Sequence, residues 1–217
     1  MVSRLYAEGT CFLFTIDRKA GVKPFQREMA RLPSHVPCHW VLPSRDGAWG
    51  GSGLVHSSLD ALEMALGLPA VPAQIFQISG QCYPIKPIPA IMEYFRSLQG
   101  KCLMQCLLPP IPSWPGGGWL RIQKYHYWLP AWLPFDRHRR EFPLDAPPST
   151  AKERILQRLL ARRFPLPREF PAGLSPYFGH AFWSMTPAMA RFILDFHARR
   201  PEVLDFHRHT LIADEIY

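Results

Sequence analysis

The sequence predicts an α/β protein with a mostly parallel sheet and helices on both of its faces. Short apolar runs rich in β-branched and aromatic residues recur along the first half of the chain. Between them lie segments whose apolar residues recur at helical spacing. Parallel strands need a crossover connection, which a helix usually supplies, so this alternation is typical of a mostly parallel sheet.

The first third of the chain contains two predicted strands and two predicted helices. Cys11–Ile16 and His39–Leu42 are apolar runs of strand length, and the region near Gln26–Leu32 has helical character. A loop at Trp49–Gly53 then precedes a helix that ends at Gly67. The apolar residues of this helix are Val55, Leu59, Leu62 and Leu66. Backbone amides of the loop suit an anion at the helix N-terminus, but no Gly-Lys-Ser/Thr ending follows.

The middle third predicts two more strands around a helix. The run that begins at Gln74 reads as a buried strand, which Ser79-Gly80 ends and Pro84 prevents from continuing. A helix follows over about Pro87–Leu98, and Cys102–Leu108 reads as a fourth strand. Ligands of open α/β sheets bind outside the carboxyl ends of strands, so the Gly80–Lys86 loop is a candidate site lining. An ordinary strand-to-helix connection is the alternative.

The remaining part of the chain predicts an irregular insertion followed by two helices. Residues 109–149 contain nine of the 24 prolines and many aromatic residues. Thr150 and Glu153 form a capping box for a helix whose apolar stripe consists of Ile155, Leu156, Leu159 and Leu160. The last predicted helix starts at Thr186-Pro187 and carries Met189, Phe192, Ile193 and Phe196. We expect one domain over residues 1–217, with the insertion at about 109–149.

The charge of the chain favours an anionic partner. Its 217 residues carry a formal net charge of +8, and 47% of them are hydrophobic. A nucleotide phosphate, a nucleic acid and an acidic membrane surface all fit this charge. The basic and aromatic segment Arg121–Trp128, with Arg137–Arg140 after it, suits single-stranded nucleic acid, a sugar, or packing of the insertion onto the domain. Nucleic acid has no support elsewhere in the sequence, so none is predicted as a partner.

Metal and membrane signals are weak. We expect the five cysteines to be mostly buried free thiols in a reducing compartment, and His207 and His209 to be structural or solvent-facing. No Asp-x-Asp triplet occurs, and no metal is predicted. The five cysteines are Cys11, Cys38, Cys82, Cys102 and Cys106.

The chain contains neither an apolar run of membrane-spanning length nor a signal-peptide pattern at its start.

The acidic pair Asp214-Glu215 is the sharpest catalytic candidate. It is flanked by Ile212 and Ile216. Apolar neighbours desolvate a carboxylate and raise its pKa toward the range of a general base. An acidic pair at the start of a helix, where it stabilises the helix dipole, is the alternative.

Five motifs in order resemble the core-2/I-branching glycosyltransferases, a family that includes β-1,6-N-acetylglucosaminyltransferases and peptide O-xylosyltransferases. The ordered motifs are Thr-Ile-Asp-Arg-Lys at Thr15–Lys19, Trp-Gly-Gly-Ser-Gly-Leu-Val at Trp49–Val55, Ile-Ser-Gly-Gln-Cys-Tyr-Pro-Ile-Lys at Ile78–Lys86, Gly-His-Ala-Phe-Trp at Gly179–Trp183 and Thr-Leu-Ile-Ala-Asp-Glu at Thr210–Glu215. They span nearly the whole chain.

The resemblance implies a glycosyltransferase A-type fold and an inverting enzyme that moves N-acetylglucosamine or xylose from a UDP-sugar to a hydroxyl of a glycan or protein. Glu215 would be the general base, with Asp214 beside it. No cofactor and no metal would be needed. The donor-binding residues implied are Asp17, Trp49, Gly50, Gly51 and Gly80, and the acceptor-binding residues implied are Cys82, Tyr83, Lys86 and Trp183.

The chain also departs from the family pattern. Cys82 stands where the family has Asp, His180 replaces a small residue and Phe182 replaces a Trp. We expect the chain to be truncated at both ends, and a non-catalytic remnant that binds a UDP-sugar or glycan is the alternative function. The expected location is cytoplasmic, with peripheral membrane association as an option, or the Golgi membrane if the protein is eukaryotic.

Overall fold

The computed structural model describes residues 5–17, 20–41, 50–126, 150–152, 154–155, 158–159 and 168–216. Its strands are β1 (Phe12–Thr15), β2 (Cys38–Val41), β3 (Ile75–Phe76) and β4 (Ser184–Met185). Its helices are α1 (Lys23–Met29), α2 (Gly53–Leu66), α3 (Ile88–Ser97), α4 (Leu120–Gln123), α5 (Pro187–Arg199) and α6 (Pro201–His207). Two 3₁₀ turns lie at Pro115–Gly118 and Ala213–Glu215.

The chain forms two compact units, each built from separate stretches of sequence. Unit 1 consists of Met1–Gly47, Val55–Gln105 and His180–Arg199, and unit 2 of Ala48–Leu54, Cys106–Gly179 and Arg200–Tyr217. The single domain expected from the sequence stays a prediction.

Unit 1 contains the predicted β–α–β start of the chain. Strands β1 and β2 pair in parallel, with Phe12 opposite Cys38 and Thr15 opposite Val41. Helix α1 connects them, as a parallel pair requires. The bounds of both strands agree with the predicted ones to within two residues. Ile16, directly after β1, is buried and leads into Asp17.

The core of unit 1 lies between α2, α5 and β4. Leu62 of α2, Met185 of β4 and Ala190 of α5 are almost fully buried against one another. The spacing of the predicted helix is confirmed here, because Leu66 lies one turn after Leu62 and packs on the same cluster. Gly67 ends the helix with its N–H on the carbonyls of Glu63 and Met64. Other side chains around the cluster are Ile75, Cys102, Met104, Trp183, Met189, Ile193 and Leu194.

The strand predicted from Gln74 is shorter and more exposed than expected. Strand β3 has two residues and pairs antiparallel with β4. Phe76 and Ile78 are each 41% exposed, so the prediction of a buried strand was wrong. A two-residue strand with a single partner leaves one edge of the strand unpaired. The ring of Phe76 stacks on the ring of Phe95 of α3, with the two centroids 4.8 Å apart. The described strands are therefore one parallel and one antiparallel pair, in a mixed α/β arrangement.

The prediction of a fourth strand over Cys102–Leu108 was also wrong. The run makes two isolated bridges, from Leu103 to Ser184 and from Leu107 to Phe178. Because Leu103 belongs to unit 1 and Leu107 to unit 2, the run changes partner midway. No continuous hydrogen-bond ladder forms along it.

Helices α3 and α5 confirm two predicted helices. Helix α3 starts after Pro87 and ends at Ser97. The Thr186 hydroxyl accepts the N–H of Met189 at 3.2 Å and so caps α5. Phe192, one of the apolar residues of this helix, is 57% exposed.

Unit 2 has its own core, centred on Phe178, which is fully buried. Ile111, Ile122, Phe206 and Ile216 complete the cluster, and Trp114, Trp119 and Phe170 pack around it. These residues come from α4, from α6, from positions next to the two 3₁₀ turns and from the loop that contains Phe170 and Phe178. The core therefore joins the start of the predicted insertion to the end of the chain.

Much of the insertion lies outside the described residues. Residues 127–149 are among these, and so is Glu153 of the predicted capping box. The backbone at 151–152, 154–155 and 158–159 is helical, and Arg154 donates its N–H to the carbonyl of Thr150. Ile155 and Leu159 of the predicted apolar stripe are each about three-fifths exposed.

The cysteines are free, but they are not mostly buried as predicted. Cys11 and Cys106 are exposed, and Cys38, Cys82 and Cys102 are half-buried. Of the five, only Cys38 lies in a strand, and the other four lie in loops. Across the described parts of the chain, no helix has both the length and the hydropathy to cross a membrane.

Candidate active site

The acidic pair Asp214-Glu215 lies on a 3₁₀ turn near the end of the described chain. The turn closes with the N–H of Glu215 on the carbonyl of Ile212 at 3.1 Å and that of Ile216 on Ala213 at 3.3 Å. Ile212 enters the turn in the left-handed conformation, with φ 53° and ψ 55°. That conformation is unfavourable for a β-branched residue and is found where surrounding contacts enforce it.

Backbone contacts with described residues hold this turn in place. The N–H of Ile212 donates to the carbonyl of Gly50 at 2.6 Å, and the N–H of Gly179 donates to the carbonyl of Glu215 at 2.9 Å. Ile216 forms a β-bridge with Phe178 and is buried in the core of unit 2. The backbone under both carboxylates is thus fixed from two sequence-distant segments.

The Glu215 carboxylate is bound by an arginine from α4. Nη1 of Arg121 donates to Oε2 of Glu215 at 2.7 Å, and the two side chains are 18% and 25% exposed. The ion pair uses Oε2 alone, and no residue in the described part of the chain forms a hydrogen bond with Oε1 of Glu215. The arginine also packs on Trp114, with its guanidinium carbon 3.8 Å from the ring centroid.

Asp214 has different surroundings from its neighbour. Burial raises the pKa of Asp214 and the charge of Glu215 raises it further, while its own backbone N–H and Arg121 oppose the rise. Its Oδ1 atom is buried, and the described residues offer it no hydrogen-bond partner. The direction of this pKa shift is the one predicted for a desolvated carboxylate of the pair.

A buried arginine anchors the segment that leads into the turn. Arg168 is 6% exposed. Its Nη1 donates to the carbonyl of His209 and to the hydroxyl of Thr210, both at 2.9 Å. Its Nη2 donates to the carbonyl of Phe206, the ring of which lies under the guanidinium. The cation therefore neutralises the carbonyl end of α6 and fixes the fully buried Thr210.

Gly50 and Gly51 are both buried in unit 2, and Gly50 lies against Leu211 and Ile212, which lead into the turn of the acidic pair. It has φ +69°, and a β-carbon at this position would be 3.4 Å from Ile212 and Leu211 atoms. The positive φ and the close approach explain why glycine stands here. Trp49, assigned to the donor site with them, lies outside the described residues.

The other predicted site residues belong to unit 1. Asp17 follows β1 at its carboxyl end, and Gly80 is exposed in the turn after β3. In that turn the Cys82 N–H donates to the carbonyl of Ser79 at 3.1 Å, and Sγ lies 3.4 Å from the Ser79 hydroxyl. The turn presents apolar and basic side chains to solvent, because Tyr83 is 64% exposed and Lys86 is also exposed.

Trp183, the last predicted acceptor residue, has a packing role in unit 1. Its ring lies against the Leu62 cluster, and its carbonyl accepts the N–H of Gln77 at 2.9 Å. Gln77 also donates from Nε2 to Ala181 and accepts from the hydroxyl of Ser58. The Gly179–Trp183 motif is thus tied to the segment after β3.

A family model matches residues 1–110, and its description is Core-2/I-Branching enzyme. The chain belongs to the Core-2/I-Branching enzyme family. Members of this family are glycosyltransferases, which act on a sugar donor and an acceptor. The matched half includes Asp17, the Trp49–Val55 loop and the Ile78–Lys86 turn. A comparison with curated proteins gave no significant match.

Some functional candidates of this Core-2/I-Branching chain were not found from the sequence. Arg121 was assigned to a basic, aromatic segment, and nothing in the local pattern connects it with Glu215, 94 residues away. Trp114 and Arg168 carried no signal beyond their residue type. His207 is buried and His209 half-buried, which agrees with the predicted structural role. In the part of the chain that the structure describes, no three His, Cys, Asp or Glu side chains are placed to hold a metal ion.

Proposed function

We propose that this chain is a glycosyltransferase A-type domain that transfers N-acetylglucosamine or xylose from a UDP-sugar, with inversion, to a hydroxyl group of a glycan or protein. Family membership supports the reaction class. The observation that carries the proposal is the Glu215 carboxylate, three-quarters buried on a fixed turn and bound through one of its two oxygens. A positioned carboxylate of this kind is what proton abstraction from a hydroxyl requires.

In the proposed mechanism, Glu215 accepts the proton of the acceptor hydroxyl as its oxygen attacks the anomeric carbon. The new bond forms opposite the bond to UDP, which breaks with its electron pair remaining on the diphosphate oxygen. Asp214 stands beside the base, and its raised pKa means that it stays protonated to a higher pH than an ordinary Asp.

The substrate contacts are proposed from the motif positions. Asp17, Trp49, Gly50, Gly51 and Gly80 would contact the UDP-sugar. Cys82, Tyr83, Lys86 and Trp183 would contact the acceptor. Tyr83 and Lys86 are both exposed, which supports this assignment. An exposed aromatic ring can pack on a sugar ring while a neighbouring ammonium group donates to the sugar hydroxyls.

The general-base assignment is tested by replacing Glu215. We expect Glu215→Gln to lower the rate of UDP release from UDP-N-acetylglucosamine or UDP-xylose by roughly 10²–10⁴-fold, because the amide cannot accept the proton. Glu202→Gln is the matched control, since Glu202 is a surface carboxylate of unit 2 at the start of α6. Wild-type turnover in Glu215→Gln would contradict the assignment.

The reaction is proposed to need no metal ion. Departure of UDP requires stabilisation of its charge, which basic side chains supply as well as a divalent cation does. We expect the initial rate of transfer to be unchanged after dialysis against EDTA. A rate that falls with EDTA and returns with Mn²⁺ would overturn this part of the proposal.

A binding function without turnover is the second candidate. It is favoured by Cys82, which replaces a carboxylate of the family pattern, and by the ion pair that already engages Glu215. In that case isothermal calorimetry would detect UDP binding, while no sugar transfer would accompany it in a product assay.

A further inference from the structure

Arg121 contacts the segment of the acidic pair twice. Its side chain donates from Nη1 to Oε2 of Glu215 at 2.7 Å, and its backbone carbonyl accepts the N–H of Leu211 at 3.3 Å. The side chain is 18% exposed, whereas the arginine of the nearby surface pair Arg208–Asp205 is 61% exposed. A charged pair shielded from water in this way interacts more strongly than a surface pair.

The aromatic platform beneath Arg121 is itself fixed. Trp114 meets the fully buried Phe178 edge-on at 5.4 Å. Its carbonyl accepts the N–H of Gly117 at 2.9 Å. Gly118 leaves room for the indole, since a β-carbon there would be 3.2 Å from a ring carbon of Trp114. The guanidinium therefore rests on a ring that the core of unit 2 holds in one orientation.

We propose that Arg121, held on Trp114, is a positioning residue that orients the Glu215 carboxylate for proton abstraction. The inference rests on the proposed role of Glu215 and adds a residue from outside all five family-like motifs. Arg121 engages Oε2 and thereby leaves Oε1 to the acceptor hydroxyl. A planar guanidinium stacked on an indole holds its N–H donor in a set direction toward Oε2, which a flexible ammonium group does not.

Steady-state kinetics of the full chain test this role. We expect Arg121→Gln to lower kcat by roughly 10²-fold, because a misplaced catalytic group costs about that much, with KM for the UDP-sugar changed by less than about twofold. Arg121→Lys should recover part of kcat, since it keeps the charge but not the stacking. Trp114→Phe, which keeps Arg121 but shrinks its platform, should lower kcat by a smaller factor. Arg208→Gln, which breaks the exposed pair with Asp205 in the same unit, is the matched control.

The outcomes separate this inference from the proposed function. If Glu215→Gln loses kcat and Arg121→Gln keeps it, the positioning role is overturned and the general base stands. If Glu215→Gln keeps the wild-type kcat, the general-base role of Glu215 is contradicted, and the proposed function fails before the positioning role can be judged.

A double-mutant cycle tests whether Arg121 and Glu215 interact, and it can be measured even if the chain has no turnover. Urea unfolding of Arg121→Gln, Glu215→Gln and the double variant should show a coupling of several-fold in the unfolding equilibrium constant. Absence of coupling would overturn the inference.

Discussion

At the scale of single residues, Asp214 and Glu215 show how neighbours in sequence acquire different chemistry. Glu215 meets a guanidinium at 2.7 Å, whereas Oδ1 of Asp214 is buried with no hydrogen-bond partner among the described residues. The sequence predicted the acidic pair as a candidate catalytic site with apolar residues on both sides. It did not assign Arg121 to Glu215, because that contact depends on how α4 packs on the end of the chain.

The raised pKa of Asp214 predicts a pH-dependent effect on stability. The folded protein binds this proton more tightly than the unfolded chain, so the contribution of Asp214 to stability falls as pH rises from the ordinary Asp pKa through the raised one. Asp214→Asn removes this loss. We expect the variant to gain stability relative to wild type as pH increases from about 4, with no gain at about pH 3.

Urea unfolding at a series of pH values measures this difference. Asp205→Asn, on the exposed pair with Arg208, serves as the control and should stay within about 0.5 kcal/mol of wild type throughout. If the difference in free energy of unfolding between Asp214→Asn and wild type stays constant with pH, Asp214 has the same pKa in the folded and unfolded states, which contradicts this prediction.

At the scale of elements, helices followed their local patterns more closely than strands did. The bounds of α2, α3 and α5 agree with the apolar spacing and the flanking Gly and Pro residues. The run Cys102–Leu108 has strand composition, yet its two halves bridge to different units. Helix hydrogen bonds form within one segment, whereas a strand exists only where a partner strand lies beside it.

The 3₁₀ turn Pro115–Gly118, which supports Trp114, predicts a steric effect at one glycine. Gly117 has φ +65°, and a β-carbon there would be 2.6 Å from Cβ of Pro110. We expect Gly117→Ala to destabilise the chain by about 1–2 kcal/mol through its backbone and by about 1–3 kcal/mol more through the clash. Urea unfolding gives the total.

Gly173→Ala is the matched control for this turn. Gly173 has φ +76° in the same unit, and a β-carbon there would meet nothing within 4 Å. It should therefore show the backbone cost alone. Equal destabilisation by the two substitutions would mean that Pro110 moves aside without cost.

At the scale of the whole molecule, each of the two units contains a hydrophobic core among its described residues. Leu62 centres one core and Phe178 the other, and both are almost fully buried. We expect Leu62→Ala to cost about 2–5 kcal/mol and Phe178→Ala about 3–5 kcal/mol. Hydrogen exchange measured by mass spectrometry should then show faster exchange in the peptides of the unit that carries each substitution.

The pattern of faster exchange distinguishes two results. Loss of protection confined to one unit per variant confirms that each core stabilises its own unit. Equal loss in every protected peptide for both variants would mean that the chain unfolds as one cooperative body.

The sequence by itself determined the family, the main helices, the parallel pair at the start of the chain and the candidate acidic pair. These depend on short motifs and local periodicity, which are visible in a single chain. Only the tertiary structure decided that Arg121 binds Glu215, that Arg168 anchors Thr210, and that Trp183 packs in a core. Those contacts join residues 42 to 121 positions apart, and packing of distant segments, which no local pattern encodes, brings them together.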